Sequence, residues 1–207
     1  MIGALFVEKE GVYKIEGIEV WDKEKDAKKY RGPWPVIAHP PCERWGRYWS
    51  GGPSAKVRKT KGDDNGCFKF ALEAVRIYGG VLEHPEGSHA FKEFGLPIPD
   101  FHGKWTPKDA YGGSSCCVSQ AHYGHRARKM TWLYAVGVPL PELIWGPGKG
   151  ERLDEGFHSA QERKEKRAQG QKPRPRLSVK ENLWTPIQFR DLLINIATGI
   201  EPWKEEK

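Results

Sequence analysis

Three groups in this sequence have the types and settings that covalent chemistry needs: the thiol of Cys42, the carboxylate of Glu83, and the guanidinium pair Arg126 and Arg128. Cys42 follows Pro40-Pro41 directly after the run Pro35-Val36-Ile37-Ala38. That run reads as a short buried strand, and the prolines end it because they donate nothing to a sheet ladder. Each proline also holds the residue before it extended, so the thiol rides on a stiff loop at a strand's carboxyl end. Open α/β sheets bind their ligands at such ends, which gives a thiol there a use as a nucleophile. The plain alternative is a small apolar plug in a loop, a common role for a lone cysteine.

Glu83 reaches the same sheet edge by a strand, helix, strand path. Asp64 or Asn65 caps the helix, Phe68, Leu72, Val75 and Tyr78 recur at helical spacing, and Gly79-Gly80 ends it. Val81-Leu82 then makes a brief strand closed by Glu83-His84-Pro85. This order implies a right-handed crossover and a parallel pair. Parallel neighbours lie about 5 Å apart, so the thiol and the carboxylate can face one small ligand. Glu83 also has a plain reading, as a surface carboxylate capping the next turn. Arg126 and Arg128 precede the apolar strand 130–136 and, taken singly, read as ordinary basic loop residues.

The remaining elements frame these three. Ala4-Leu5-Phe6-Val7 reads as a first strand and Ile18-Glu19-Val20-Trp21 as a second, with Asp22 capping a charged turn. Residues 87–113 read as loop. At the end of the chain Thr185 caps a helix, Pro186 fits its first turn and Gln188 completes a capping box. Phe189, Leu192, Leu193, Ile196 and Ala197 form its core-facing stripe, and Gly199 stops it. The expected fold is α/β and Rossmann-like, a mostly parallel sheet with flanking helices. Residues 1–145 form its core, 146–182 a basic linker, and 183–207 a helix packing back on the core.

Composition narrows the function classes. With 38% hydrophobic and 29% charged residues in 207, one folded domain is expected rather than a disordered chain. No apolar run is long enough for a membrane span and the first residues lack signal-peptide features, so a cytoplasmic location is expected. Four cysteines, two of them adjacent (Cys116-Cys117), suggest no disulfide framework, and paired zinc-ligand spacings are missing, so no metal is expected. The net charge of +7 points toward a polyanion. The charge gathers in two places: a cluster holding Lys59 and Lys61 soon after Cys42, and the stretch 149–180 with Arg163, Lys164, Arg174 and Arg176. Solvated loops are often basic without a partner, but two clusters favour nucleic acid. Trp45 and Trp49, near Cys42, are candidates for stacking on a base.

In order, spacing and context these pieces resemble the DNA (cytosine-5) methyltransferase family, in a compact form of the phage and bacterial type. The family carries Pro-Pro-Cys with its nucleophile, then a helix, then a strand ending in Glu-Asn-Val, then a Gly…Arg-x-Arg segment entering a strand. The matching pieces are Pro40-Pro41-Cys42, the helix through Tyr78, Val81-Leu82-Glu83-His84-Pro85, and Tyr123-Gly124-His125-Arg126-Ala127-Arg128. The resemblance implies that Cys42 adds to C6 of a pyrimidine, which breaks the ring's aromaticity and makes C5 nucleophilic. It gives Glu83 the ring N3 and the exocyclic amine, and Arg126 or Arg128 the ring O2. Pro41, Arg44 and His84 then line the substrate, with Arg44 helping to hold the thiol as thiolate. In a duplex the target base must first be flipped out.

The family's other hallmarks are reduced. No Phe-x-Gly-x-Gly loop follows the first strand, where this chain has Leu5-Phe6-Val7-Glu8-Lys9-Glu10-Gly11. S-adenosylmethionine, if used, would rest on Phe6, Glu19 and Asp22. His84 stands where the family has Asn, and no large target-recognition domain separates Arg128 from the last helix. The expectation is therefore a pyrimidine-modifying enzyme acting on DNA, most simply by cytosine C5 methyl transfer. The alternatives are a catalytically silent DNA-binding relative, or an enzyme of free pyrimidine nucleotides with another one-carbon donor.

Overall fold

The structure, a computed structural model, describes residues 1–51, 56–150, 160–170 and 177–200. Six strands form one sheet: β1 (Ile2–Leu5), β2 (Ile18–Trp21), β3 (Val36–Ala38), β4 (Gly80–Pro85), β5 (Ser114–Ser119) and β6 (Met130–Val136). Their order is β2-β1-β3-β4-β6-β5. The first four are mutually parallel, and β6 enters antiparallel between β4 and β5. Helices cover both faces, so the fold is α/β and Rossmann-like with a mostly parallel sheet.

Side chains alternate across the strands and build two cores. On one face Leu5, Val36, Ala38, Leu82, Trp132 and Tyr134 meet Phe68, Leu72 and Val75 of helix α1 (Cys67–Tyr78). On the other, Ala4, Ile37, Val81, Leu133 and Ala135 meet Phe189, Leu192, Leu193 and Ile196. That second set belongs to the last helix, so it does pack back on the sheet. Gly80 sets the spacing of the two strands that matter most. Its φ is +120°, and a Cβ there would lie 1.9 Å from the Val36 carbonyl oxygen. Only glycine lets β4 begin so close to β3.

Four local expectations need correction. β1 runs two residues earlier than 4–7, because Phe6 turns to φ +60° and leaves the strand. The stretch expected as loop holds a short helix α2 (His89–Glu93), capped by the Ser88 hydroxyl on Ala90 N at 3.2 Å. Its five residues are too few for a periodic signal. The basic linker contains helices α3 (Ala160–Ala168) and α4 (Val179–Leu183). The last helix, α5 (Ile187–Thr198), has no Thr185 capping box: Pro186 is itself the cap residue, extended at ψ 150°. A capping box exists instead on α4, between Ser178 and Glu181. Among the described residues no helix is long and apolar enough to cross a membrane.

Candidate active site

The β3–β4 ladder ends at the pair Ala38 and Leu82, so His39 and Glu83 are the next residues on the two strands. Both turn to the α5 face, where His39 Nδ1 meets Glu83 Oε2 at 3.0 Å. The other ring nitrogen of His39 lies 2.7 Å from the hydroxyl of Tyr13, a residue buried in the same core. Glu83 Oε1 faces the side-chain amide of Gln120 at 3.4 Å, and that amide donates to Thr131 Oγ1 at 2.9 Å. Strand β6 delivers Thr131, and the turn after β5 delivers Gln120.

Cys42 comes after Pro40 and Pro41 on a loop tied down at several points. Its carbonyl accepts from Trp45 N at 3.0 Å and Gly46 N at 2.9 Å, which closes a tight turn. Trp45 is buried against Phe68 and Phe94, and its indole N–H donates to Asp64 Oδ2 at 2.9 Å. Asp64 also accepts from Phe68 N at 2.8 Å, but the cap position of α1 is held by Gly66 in the left-handed region and not, as expected, by Asp64 or Asn65. One carboxylate therefore joins the Cys42 loop to the helix beneath it. The thiol is half-buried.

Cys42, Glu83 and Lys129 act on one another electrostatically. Burial, and then the Glu83 carboxylate, push the Cys42 thiol upward, while Lys129 opposes them. Burial works to raise Glu83 as well, but the His39 hydrogen bond and the Lys129 charge outweigh it and bring the carboxyl below its ordinary value. Burial lowers Lys129, against the pull of Glu83 and Cys42. The free site thus holds a protonated thiol beside an ionised carboxylate. Arg44 does not make the thiolate: it pairs with Glu43 at 3.1 Å.

Lys129 is the cation that bears on both groups, and the sequence reading passed it over. Its Nζ donates to the Trp184 carbonyl at 3.0 Å, and its backbone is at φ +32°. Arg126 instead pairs with Glu181 at 3.1 Å, and Arg128 is exposed, with its charge acting on His102. His84 turns to the opposite face from Glu83 and is fully buried against Phe68, ring centroids 5.1 Å apart. The Pro41 carbonyl faces its ring outside hydrogen-bond geometry, and burial pulls its pKa down to about 4. His84 therefore backs the Cys42 loop, while Pro41 itself is exposed. Trp45, expected as a stacking platform, is core.

The basic residues are peripheral to this cluster. Lys59 pairs with Glu43 at 2.7 Å and Lys61 with Glu93 at 3.5 Å, both at the surface. Lys164 is exposed on α3, which also carries Arg163; Arg174 and Arg176 lie outside the described residues. His39, Tyr13 and Gln120, like Lys129, were missed. His39 had one signal, its place beside the prolines at the end of the strand.

The residues expected to hold S-adenosylmethionine are committed elsewhere. Glu19 pairs with Lys25 at 2.6 Å, and buried Asp22 accepts from Lys25 N at 2.7 Å. Phe6 packs its ring against the α1-side core. A cavity of about 570 Å³ includes Asp22 in its wall, with Ile18 and Val20 of the outer strand β2 and Lys9, Lys14 and Glu24 from the segments that flank it. Its lining sets the ion-paired Lys9, Lys14 and Lys25 beside the apolar Ile15, Ile18 and Val20, and includes Asp22 but neither Phe6 nor Glu19. Among the described residues no group of three or more His, Cys, Asp or Glu side chains could hold a metal. The sequence matches no family model and no curated protein.

Proposed function

We propose that the protein modifies a pyrimidine base of DNA through a covalent bond from Cys42 to C6 of the ring, most simply as the first step of methyl transfer to cytosine C5. One observation supports this reading: the Cys42 thiol on the loop after β3 and the Glu83 carboxylate, on β4 just past its ladder with β3, are both acted on by Lys129. The Cys42 thiol gives up its proton, and Glu83, ionised in the free site, is the nearby base that can take it. The sulfur then forms the S–C6 bond, the ring's π electrons move toward N3, and the proton on Glu83 passes to N3. Lys129 offsets the charge on sulfur and on the ring. C5 is then enamine-like and forms a bond to the carbon of an activated one-carbon donor, whose leaving group departs with the electron pair. The C5 proton passes to water, the N3 proton returns to Glu83, and expulsion of the thiolate restores the aromatic ring, after which Glu83 reprotonates the sulfur.

DNA suits the basic balance of the chain, since Lys59 and Lys61 are held only by surface ion pairs that phosphate can replace. A catalytically silent DNA-binding relative is the competing reading, favoured by the raised thiol. DNA containing 5-fluorocytosine separates the two. Incubated with S-adenosylmethionine or a small-molecule cell extract, the native protein forms a denaturant-resistant complex and Cys42→Ser does not. Salt-sensitive binding that ignores Cys42, with no complex under any donor, would establish the silent relative instead.

A further inference from the structure

We propose that Gln120 is the specificity-determining residue of this site, its carbonyl accepting a hydrogen bond from the exocyclic amine of a 4-aminopyrimidine. The inference rests on the base-modification reading and adds how a 4-amino ring is told from a 4-oxo ring.

The hydrogen-bond chain around Gln120 fixes which way its amide points. The Thr131 hydroxyl donates to the Lys129 carbonyl at 3.1 Å, so its proton is spent and its oxygen accepts. Gln120 Nε2 fills that acceptor at 2.9 Å and also faces Glu83 Oε1 at 3.4 Å. Turning the amide over would set its oxygen against a proton-free hydroxyl oxygen and a carboxylate, three acceptors with no donor between them. In the orientation observed, Gln120 Oε1 is buried and has no hydrogen-bond partner among the described residues. Gln120 as a whole is 1% exposed, so water does not satisfy it from bulk. A buried carbonyl left without a donor is costly and calls for an explanation.

A ligand donor supplies one. His39 occupies Glu83 Oε2, which leaves Oε1 as the oxygen on the Gln120 side. The covalent geometry of the amide keeps Gln120 Oε1 within about 6 Å of Glu83 Oε1, a carboxylate oxygen with a lone pair beyond the one facing the amide. One amino nitrogen donates to two oxygens about 5 Å apart, inside that limit. A 4-amino group brings two N–H donors to two acceptors. A 4-oxo group brings a third oxygen and no proton, so uracil and thymine meet repulsion where cytosine is bound. Sites that hydrogen-bond a substrate N–H discriminate strongly against analogues lacking it.

The test uses short single-stranded DNAs identical except for one central cytosine or uracil, titrated onto Cys42→Ser protein by fluorescence anisotropy. The cytosine strand should bind about tenfold more tightly. Gln120→Met should bring the ratio close to one, and Thr131→Val, which frees the amide to turn, should lower it in the same direction. Equal affinities in the Cys42→Ser protein, or a ratio that survives both variants, would overturn the role of Gln120. Failure of native protein to trap 5-fluorocytosine, with the ratio intact, removes the covalent chemistry and leaves the role of Gln120 standing.

Discussion

His39 donates from Nδ1 to Glu83 Oε2 at 3.0 Å, and the donor is fixed from behind: the Tyr13 hydroxyl lies 2.7 Å from Nε2. Burial and the Glu83 charge push the Tyr13 hydroxyl well above its ordinary pKa, so it stays protonated and donates to that ring nitrogen. The imidazole must then carry its proton on the side of the carboxylate. A buried tyrosine thus selects the tautomer that keeps Glu83 ionised.

Replacing His39 by leucine removes that support and leaves a mostly buried carboxylate oxygen unpaired. We expect a loss of about 1–3 kcal/mol at pH 7, measured by urea denaturation. Glu83 is held below its ordinary value in the fold, so its contribution is present above the unfolded pKa and lost as pH falls through the folded one. The variant's loss should therefore shrink in acid. A constant difference at pH 7 and pH 3.5 would show that His39 acts by packing alone.

His84 predicts a second acid effect, on the other face of the sheet. Folded, it stays neutral down to about 4; unfolded, it protonates near 6.5. The unfolded chain binds the extra proton throughout that window, so stability falls as pH drops across it, by about 3 kcal/mol from this group. His84→Phe should flatten the stability curve between pH 6.5 and 4. An unchanged slope would mean that the ring is already charged in the fold.

Cys42 should alkylate slowly at neutral pH, because burial and Glu83 hold its thiol up. Glu83→Gln removes the repelling charge and should speed iodoacetamide labelling at pH 7 about tenfold, whereas Lys129→Met should slow it. Peptide mass spectrometry follows Cys42 apart from Cys67, Cys116 and Cys117. Labelling rates that are the same in all three proteins would show that neither charge reaches the sulfur.

Asp64→Ala takes away both the acceptor of the Phe68 N–H in the first turn of α1 and the partner of the Trp45 indole. The expected cost is about 1–2 kcal/mol in thermal or chemical unfolding. Cys42 labelling should also quicken as its loop loosens. A full stability loss with unaltered labelling would confine Asp64 to the helix.

The sequence disclosed the placement of Cys42 and Glu83 because prolines, a capped amphipathic helix and two short apolar runs are local signals. The groups that serve them were hidden for the opposite reason. Tyr13 lies in an irregular stretch before β2, Gln120 in a 3₁₀ turn, and Lys129 is one cation among many until its backbone turns to φ +32°. Arg126 and Arg128 drew attention by pattern, yet Arg126 pairs with Glu181 across 55 positions of sequence, a distance no periodicity reports. The last helix was legible through its apolar stripe, but its start was misplaced because an extended Pro186 holds the cap position. Nearness to Cys42 in sequence could not tell Trp45 of the core from a surface platform.

Strand β4 pairs with β6 as far as Pro85, while its pairing with β3 stops at Leu82. Three residues of β4, about 10 Å at the usual rise of a strand, therefore run on past the β3 ladder, beside His39 and the proline pair. The twin prolines, which have no N–H to give a neighbouring strand, act as the stop on that ladder, and residues able to donate in their place would let β3 run on along β4.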